Sequence, residues 1–171
     1  MVLISLFLLS SVLWEGDCGD GALGIRQLYD YSVDISWEEG VVSLKGDPWR
    51  EGFSAAWFSI DEDMAFESED VLKVSMKVNR NEVRLRYLYR REGREVYFGG
   101  EEVITAHGQW QKVEIPFSEG KPFYSSDYPY ALTPGKRPCV YLFIENRVPG
   151  EFDVELDSIW VFRAGSDGGE R

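Results

Sequence analysis

Histidine, cysteine and positive charge are the scarce commodities of this 171-residue chain, and each scarcity closes off a class of function. The one histidine, His107, stands in Thr105-Ala106-His107-Gly108, a stretch that reads as surface loop. A Ser-His-Asp arrangement needs its histidine beside a nucleophile, and nothing around His107 supplies one. The two cysteines, Cys18 and Cys139, form no C-x-x-C, so neither a zinc site nor a redox motif is indicated. In an exported chain they would close one disulfide; if Cys18 leaves with an export segment, Cys139 stays as a buried thiol. Lys and Arg number 18 against 30 Asp and Glu, a formal charge of −12 that repels nucleic acid and anionic membrane. No phosphate-binding glycine loop and no metal triad occurs. So many acids always permit some carboxylate pair, which makes their presence uninformative about glycoside hydrolysis. The chain reads as a non-enzyme.

Long apolar runs are missing too, with one partial exception. Met1–Trp14 is uncharged and mostly apolar, but a membrane-spanning helix needs about 20 such residues. The run matches the apolar part of an export signal, although no Lys or Arg precedes it and no small-x-small cleavage site follows. The expectation is a secreted or cell-surface protein, with residues 1–24 as export segment and linker, 25–163 as one domain, and 164–171 as a Gly-rich tail.

Amphipathic helices are lacking after residue 16, and short strand-like runs stand in their place. Leu72, Val74, Met76 and Val78 alternate with Lys73, Ser75, Lys77 and Asn79. Val83, Leu85, Tyr87 and Tyr89 alternate with Arg84, Arg86, Leu88 and Arg90, which suggests a hairpin turning near Arg80–Glu82. Glu95–Phe98 reads as a short strand ending at Gly99-Gly100, and Trp110–Phe117 as another with Val113 and Ile115 inward. Val140–Asn146 and Phe152–Phe162 read as a second, closing hairpin around Pro149-Gly150. Eight or nine such runs at regular spacing predict an all-β antiparallel sandwich or barrel. Aromatics at 15% are rich for this size and indicate β-structure, a ligand surface, or both. Trp57, Trp110 and Trp160 are expected in the core.

In order along the chain, Leu28-Tyr29-Asp30-Tyr31, then W-Q-K-V-E-I-P-F from Trp110, then G-E-F-D-V-E-L-D-S-I from Gly150 form an ordered set. It resembles the family 11 type of carbohydrate-binding module and the related complex I intermediate-associated domains, which are galactose-binding-like jelly rolls. The likeness covers about Leu28 to Phe162. It implies two sites. One is a structural calcium near the chain ends, with Asp157 as the aspartate of D-x-I and with Asp30 and Asp47 as further ligands; hard oxygens suit that ion. The family's D-F-E stands here as Asp30-Tyr31-Ser32, so the glutamate of that pattern is replaced.

The other implied site is a saccharide cleft on the concave sheet, where aromatics stack on sugar rings and bidentate polar groups hold hydroxyls. Its expected residues are Tyr141 and Glu145 on the strand Val140–Asn146, Tyr128 and Tyr130 on the loop Phe123–Tyr130, and, from Glu82–Arg90, either Arg84, Arg86 and Arg90 or Tyr87 and Tyr89. The partners so implied are an oligo- or polysaccharide, with a protein partner as the alternative use of the sandwich and a monomer or weak oligomer as its state.

Overall fold

The period-two runs do become strands. The computed structural model describes residues 11–17, 26–27, 33–46, 54–60, 64–94, 96–123, 138–146 and 151–163. They form β1 (Ser11–Asp17), β2 (Arg26–Gln27), β3 (Val33–Glu38), β4 (Val41–Gly46), β5 (Ser54–Ile60) and β6 (Asp70–Arg80). Next come β7 (Val83–Arg90), β8 (Tyr97–Ile104), β9 (Trp110–Pro116), β10 (Lys121–Phe123), β11 (Val140–Asn146) and β12 (Phe152–Arg163). One antiparallel sheet has the order β3-β4-β12-β6-β9, with β1 also on β12; the other runs β10-β8-β7-β11-β5-β2. The fold is an antiparallel β-sandwich of the jelly-roll type.

The core lies between the sheets. Leu72, Val74, Met76 and Val78 of β6 and Leu142 and Ile144 of β11 are all buried in it. Each such side chain contributes at most about 1.5–3 kcal/mol of burial free energy. A short 3-10 turn, Phe117–Glu119, brings Phe117 onto Tyr89, ring centroids 4.0 Å apart and 5° from parallel. The Tyr89 hydroxyl donates to the Phe117 carbonyl at 2.6 Å. Gly120 must be glycine here, because a Cβ would stand 2.8 Å from the Tyr89 ring.

Both expected hairpins are wrong. β6 and β7 lie in opposite sheets, as do β11 and β12, so each connection crosses the sandwich. Period-two alternation says which side chains face the core; it is the same for a hairpin and for an arch between facing sheets. The composition of the last two strands does separate them. β11 is buried on both faces, whereas β12 keeps a polar outer face.

β12 also changes phase. Val154 and Leu156 point inward, then Ile159 and Val161 do, because a bulge intervenes between Leu156 and Ser158 against β6. That bulge turns Asp157 out to solvent.

Two element boundaries differ from expectation. The run Ser11–Asp17, read as part of an export segment and linker, pairs as β1 with Ser158–Arg163. β4 occupies the edge of β12 only from Phe152 to Leu156, and β1 satisfies the backbone groups of the remainder. Leu13 packs on the core, and the Trp160 indole N–H donates to Glu15 Oε1 at 2.9 Å. β8 does not stop at Gly99-Gly100 but runs through to Ile104. The glycines mark close approach, since a Cβ at Gly99 would lie 2.1 Å from the Tyr87 carbonyl oxygen and 2.6 Å from Leu88 Cδ2.

Candidate functional site

The strand β7 settles which of its faces is which. Val83, Leu85, Tyr87 and Tyr89 enter the core, and Arg84, Arg86, Leu88 and Arg90 face outward. The Tyr87 ring therefore points away from the side chains of Arg84 and Arg86. It is only 2% exposed, and burial, followed by the charge of Glu102, pushes its phenol up to about 12. The inward register of β7 decided this, because its pattern alone allowed either face.

Across the outer face, the register sets Glu101, Arg86, Phe143 and Trp57 in one row and Gly99, Leu88, Tyr141 and Ser59 in the next. Leu88, Tyr141 and Phe143 form an apolar cluster separate from the main core, packed against Trp57, Tyr97 and Phe123. Tyr141 and Phe143 are nearly parallel, 6.0 Å between centroids, with Trp57 at 6.1 Å and Tyr97 at 5.8 Å from Tyr141.

Beside this cluster lies a charge network. Glu145 is 1% exposed, and its Oε2 accepts from Arg84 Nε at 2.7 Å, with Arg84 Nη2 also at 2.7 Å. Arg86 Nη2 lies 3.6 Å from the same oxygen and 3.4 Å from Glu101 Oε2. Two guanidiniums thus meet two carboxylates. The carboxylates, sharing Arg86, are at most about 7 Å apart, within the range a glycoside hydrolase uses. Glu145 is nonetheless buried behind its ion pairs, so substrate does not reach it as an acid or nucleophile.

A cleft of about 300 Å³ opens on this face, lined by Arg86, Tyr87, Leu88, Gly99, Gly100, Glu101 and Phe123. Arg86 was anticipated from the sequence. Phe123 begins the aromatic loop expected at the rim, whereas Leu88, the glycines and Glu101 were not expected there. The available signal was β11 itself: V-Y-L-F-I is apolar at every position, which means that its outer face is covered as well as its inner one.

Other expected residues fall elsewhere. Tyr128, Tyr130, Asp30 and Asp47 lie outside the described residues. Asp157 stands exposed in its bulge, accepting a hydrogen bond from the Ser158 hydroxyl at 3.0 Å. Among the described residues no three histidine, cysteine, aspartate or glutamate side chains gather as a metal set. Asp153 and Glu155 serve the sheet: Asn79 donates to both, and Lys77 to Glu155. Burial opposes the charge on Glu155, but those hydrogen bonds outweigh it and hold its carboxyl below the usual range. The three tryptophans expected in the core are all outside it. Trp57 belongs to the outer cluster, Trp110 is 46% exposed, and Trp160 lies under the Lys112 ammonium at 5.9 Å. β9 and β12 put Trp110 and Trp160 at outward positions of an alternating pattern. Cys139 is buried, its thiol donating to the Ile60 carbonyl at 3.3 Å, and Cys18 lies outside the described residues.

No family model matches the chain, and no curated protein is similar to it in sequence. Solved structures are similar in fold. BiXyn10A CBM1 in its apo form is superimposable with a TM-score of 0.53 over 88% of this chain and 96% of the other, at 11% identity. The family 11 carbohydrate-binding module of the cellulosomal cellulase Lic26A-Cel5E of Clostridium thermocellum gives 0.51 over 90% and 95%, at 17% identity. PfGH50B gives 0.55 at 7% identity, but this chain spans 24% of its length. The fold is that of the jelly-roll carbohydrate-binding modules. Identity at this level speaks for the scaffold; the ligand must be argued from the site.

Proposed function

We propose that this protein is a non-catalytic carbohydrate-binding protein, with its site on the outer face of β7, β8, β10 and β11. The observation that carries the reading is the second apolar cluster outside the core, lying against a balanced Arg–Glu network and an open cleft. Sugars present apolar ring faces and hydroxyls that both donate and accept. Leu88 and Phe123 suit the former, Arg86 and Glu101 the latter. A purified chain is expected to be retarded by neutral saccharides in affinity gels or to bind on a glycan array, and Arg86→Ala to weaken that binding. Unchanged retention of the Arg86 variant would remove the site from this face.

Export accompanies this reading, supported by the apolar run from Met1. Processing compatible with the fold leaves Ser11–Asp17 in place, since those residues are β1. A second reading, assembly with a protein partner, is favoured by the exposed indole of Trp110 on the opposite sheet. It predicts a co-purifying protein lost on Trp110→Ala, with saccharide binding absent.

A further inference from the structure

We infer that the cleft accepts a short saccharide or the end of a chain, about one or two rings, rather than a polysaccharide laid along the sheet. This rests on the carbohydrate reading above and narrows it.

A polymer lying across a jelly-roll sheet needs exposed ring faces along the middle strands, where successive sugars stack. The middle strands here are β7 and β11, and β11 is sealed on both faces. Tyr141 and Phe143 point outward but are buried, and their rings are engaged with each other and with Trp57 and Tyr97. Glu145, the polar side chain of that strand on the same face, is equally out of reach.

The described cleft lies toward the margin, over β7 and β8 and against the edge strand β10. It is small. About 300 Å³ is the lower limit of the roughly 300–1,000 Å³ typical of small-molecule sites. Leu88, packed onto Gly99, and Phe123 supply the apolar wall, and Arg86 and Glu101 place a donor and an acceptor side by side. One apolar wall with one donor–acceptor pair is the complement of a single amphipathic ring. Among the described residues, the lining of this cleft offers one such set and no second along the strand direction.

The test is calorimetric titration of the full chain with neutral monosaccharides (glucose, galactose, mannose, xylose), their β-linked disaccharides, and the tri- to hexasaccharides of each series that binds. Affinity should level off at the disaccharide, changing less than about threefold from there to the hexasaccharide. Partial digestion of the corresponding polymer, which multiplies its ends, should raise the amount of protein bound per gram. A gain of about tenfold or more between disaccharide and hexasaccharide would overturn the inference while leaving carbohydrate binding intact. So would binding to undigested polymer in excess of its ends. Failure of every saccharide to bind would defeat the carbohydrate reading itself, and the inference with it. Phe123→Ala and Glu101→Gln should each weaken disaccharide binding by about tenfold with the melting temperature held, whereas Trp110→Ala on the other sheet should leave binding unchanged. The reverse result would place the site on the other sheet and refute the assignment.

Discussion

Replacing Glu145 by glutamine keeps the volume of the side chain and removes a buried carboxylate that two arginines share. In the native chain the Glu145 side chain is 2% exposed, while Arg84 and Arg86 are 19% and 23% exposed. Removing one partner of a fully buried ion pair costs about 3–5 kcal/mol, because the other charge is left desolvated. Here the guanidiniums keep partial access to water, and Glu101 remains 3.7 Å from Arg84 and 3.4 Å from Arg86. Discounting for that exposure leaves an expected loss of about 2–3 kcal/mol. For a chain of this size each 1 kcal/mol moves the melting temperature by about 2–4 °C, so Glu145→Gln should lower it by roughly 5–10 °C. Circular dichroism melts at pH 7 measure this directly, in 0.15 M and in 1 M salt. A buried pair is screened weakly, so the loss should persist at high salt. A variant that melts within about 2 °C of the parent, or whose deficit vanishes in 1 M salt, would refute the placement of Glu145 as a buried pivot. If Arg86 is held in position by Glu145, the same substitution should also weaken saccharide binding, and Glu145→Asp should restore neither property fully because it is one methylene short.

Four further outcomes follow from the geometry. The Tyr87 phenol is raised in the folded state above its value near 10, so its contribution is complete below pH 10 and is lost as pH rises toward about 12. A shift of that size corresponds to roughly 2–3 kcal/mol; urea melts from pH 9 to 12 should show the decline, and Tyr87→Phe should flatten it. A chain lacking residues 1–17 should be less stable than one lacking only 1–10 and should expose the Ser158–Arg163 edge to aggregation; equal melts for the two truncations would count against β1. Arg163→Ala should cost about 2–4 kcal/mol, because buried Asp70 loses the guanidinium whose Nε and Nη2 lie 3.0 and 3.2 Å away, and a denaturant midpoint unchanged from the parent would contradict it. For calcium, a chelator that lowers the melting temperature of the native chain but not of Asp157→Ala would place the ion at the bulge; identical melts with and without chelator would argue against a structural ion.

What the sequence determined by itself is the set of local directions. Alternation in Val71–Asn79, Val83–Arg90 and Trp110–Phe117 named strands and, for each, the side chains that share a face, because a strand's pleat is a property of its own backbone. The all-β class followed, and Arg84 and Arg86 were placed together on one face of their strand, though not which face that was. The slip of phase at Asp157-Ser158, by contrast, shows only in the bulge that β12 makes against β6. Only the tertiary structure decided which strand lies beside which. β6 with β7 and β11 with β12 satisfy the same alternation whether they pair or face each other, and long-range backbone hydrogen bonding chose the second. The same non-local pairing turned Tyr87 inward and recruited Ser11–Asp17 to complete the edge of β12. It also carried β8 through two glycines that locally read as a stop. The cleft is a product of that assembly: Arg86, Leu88, Gly99, Glu101 and Phe123 come from three strands, and only the register between those strands brings them to one place.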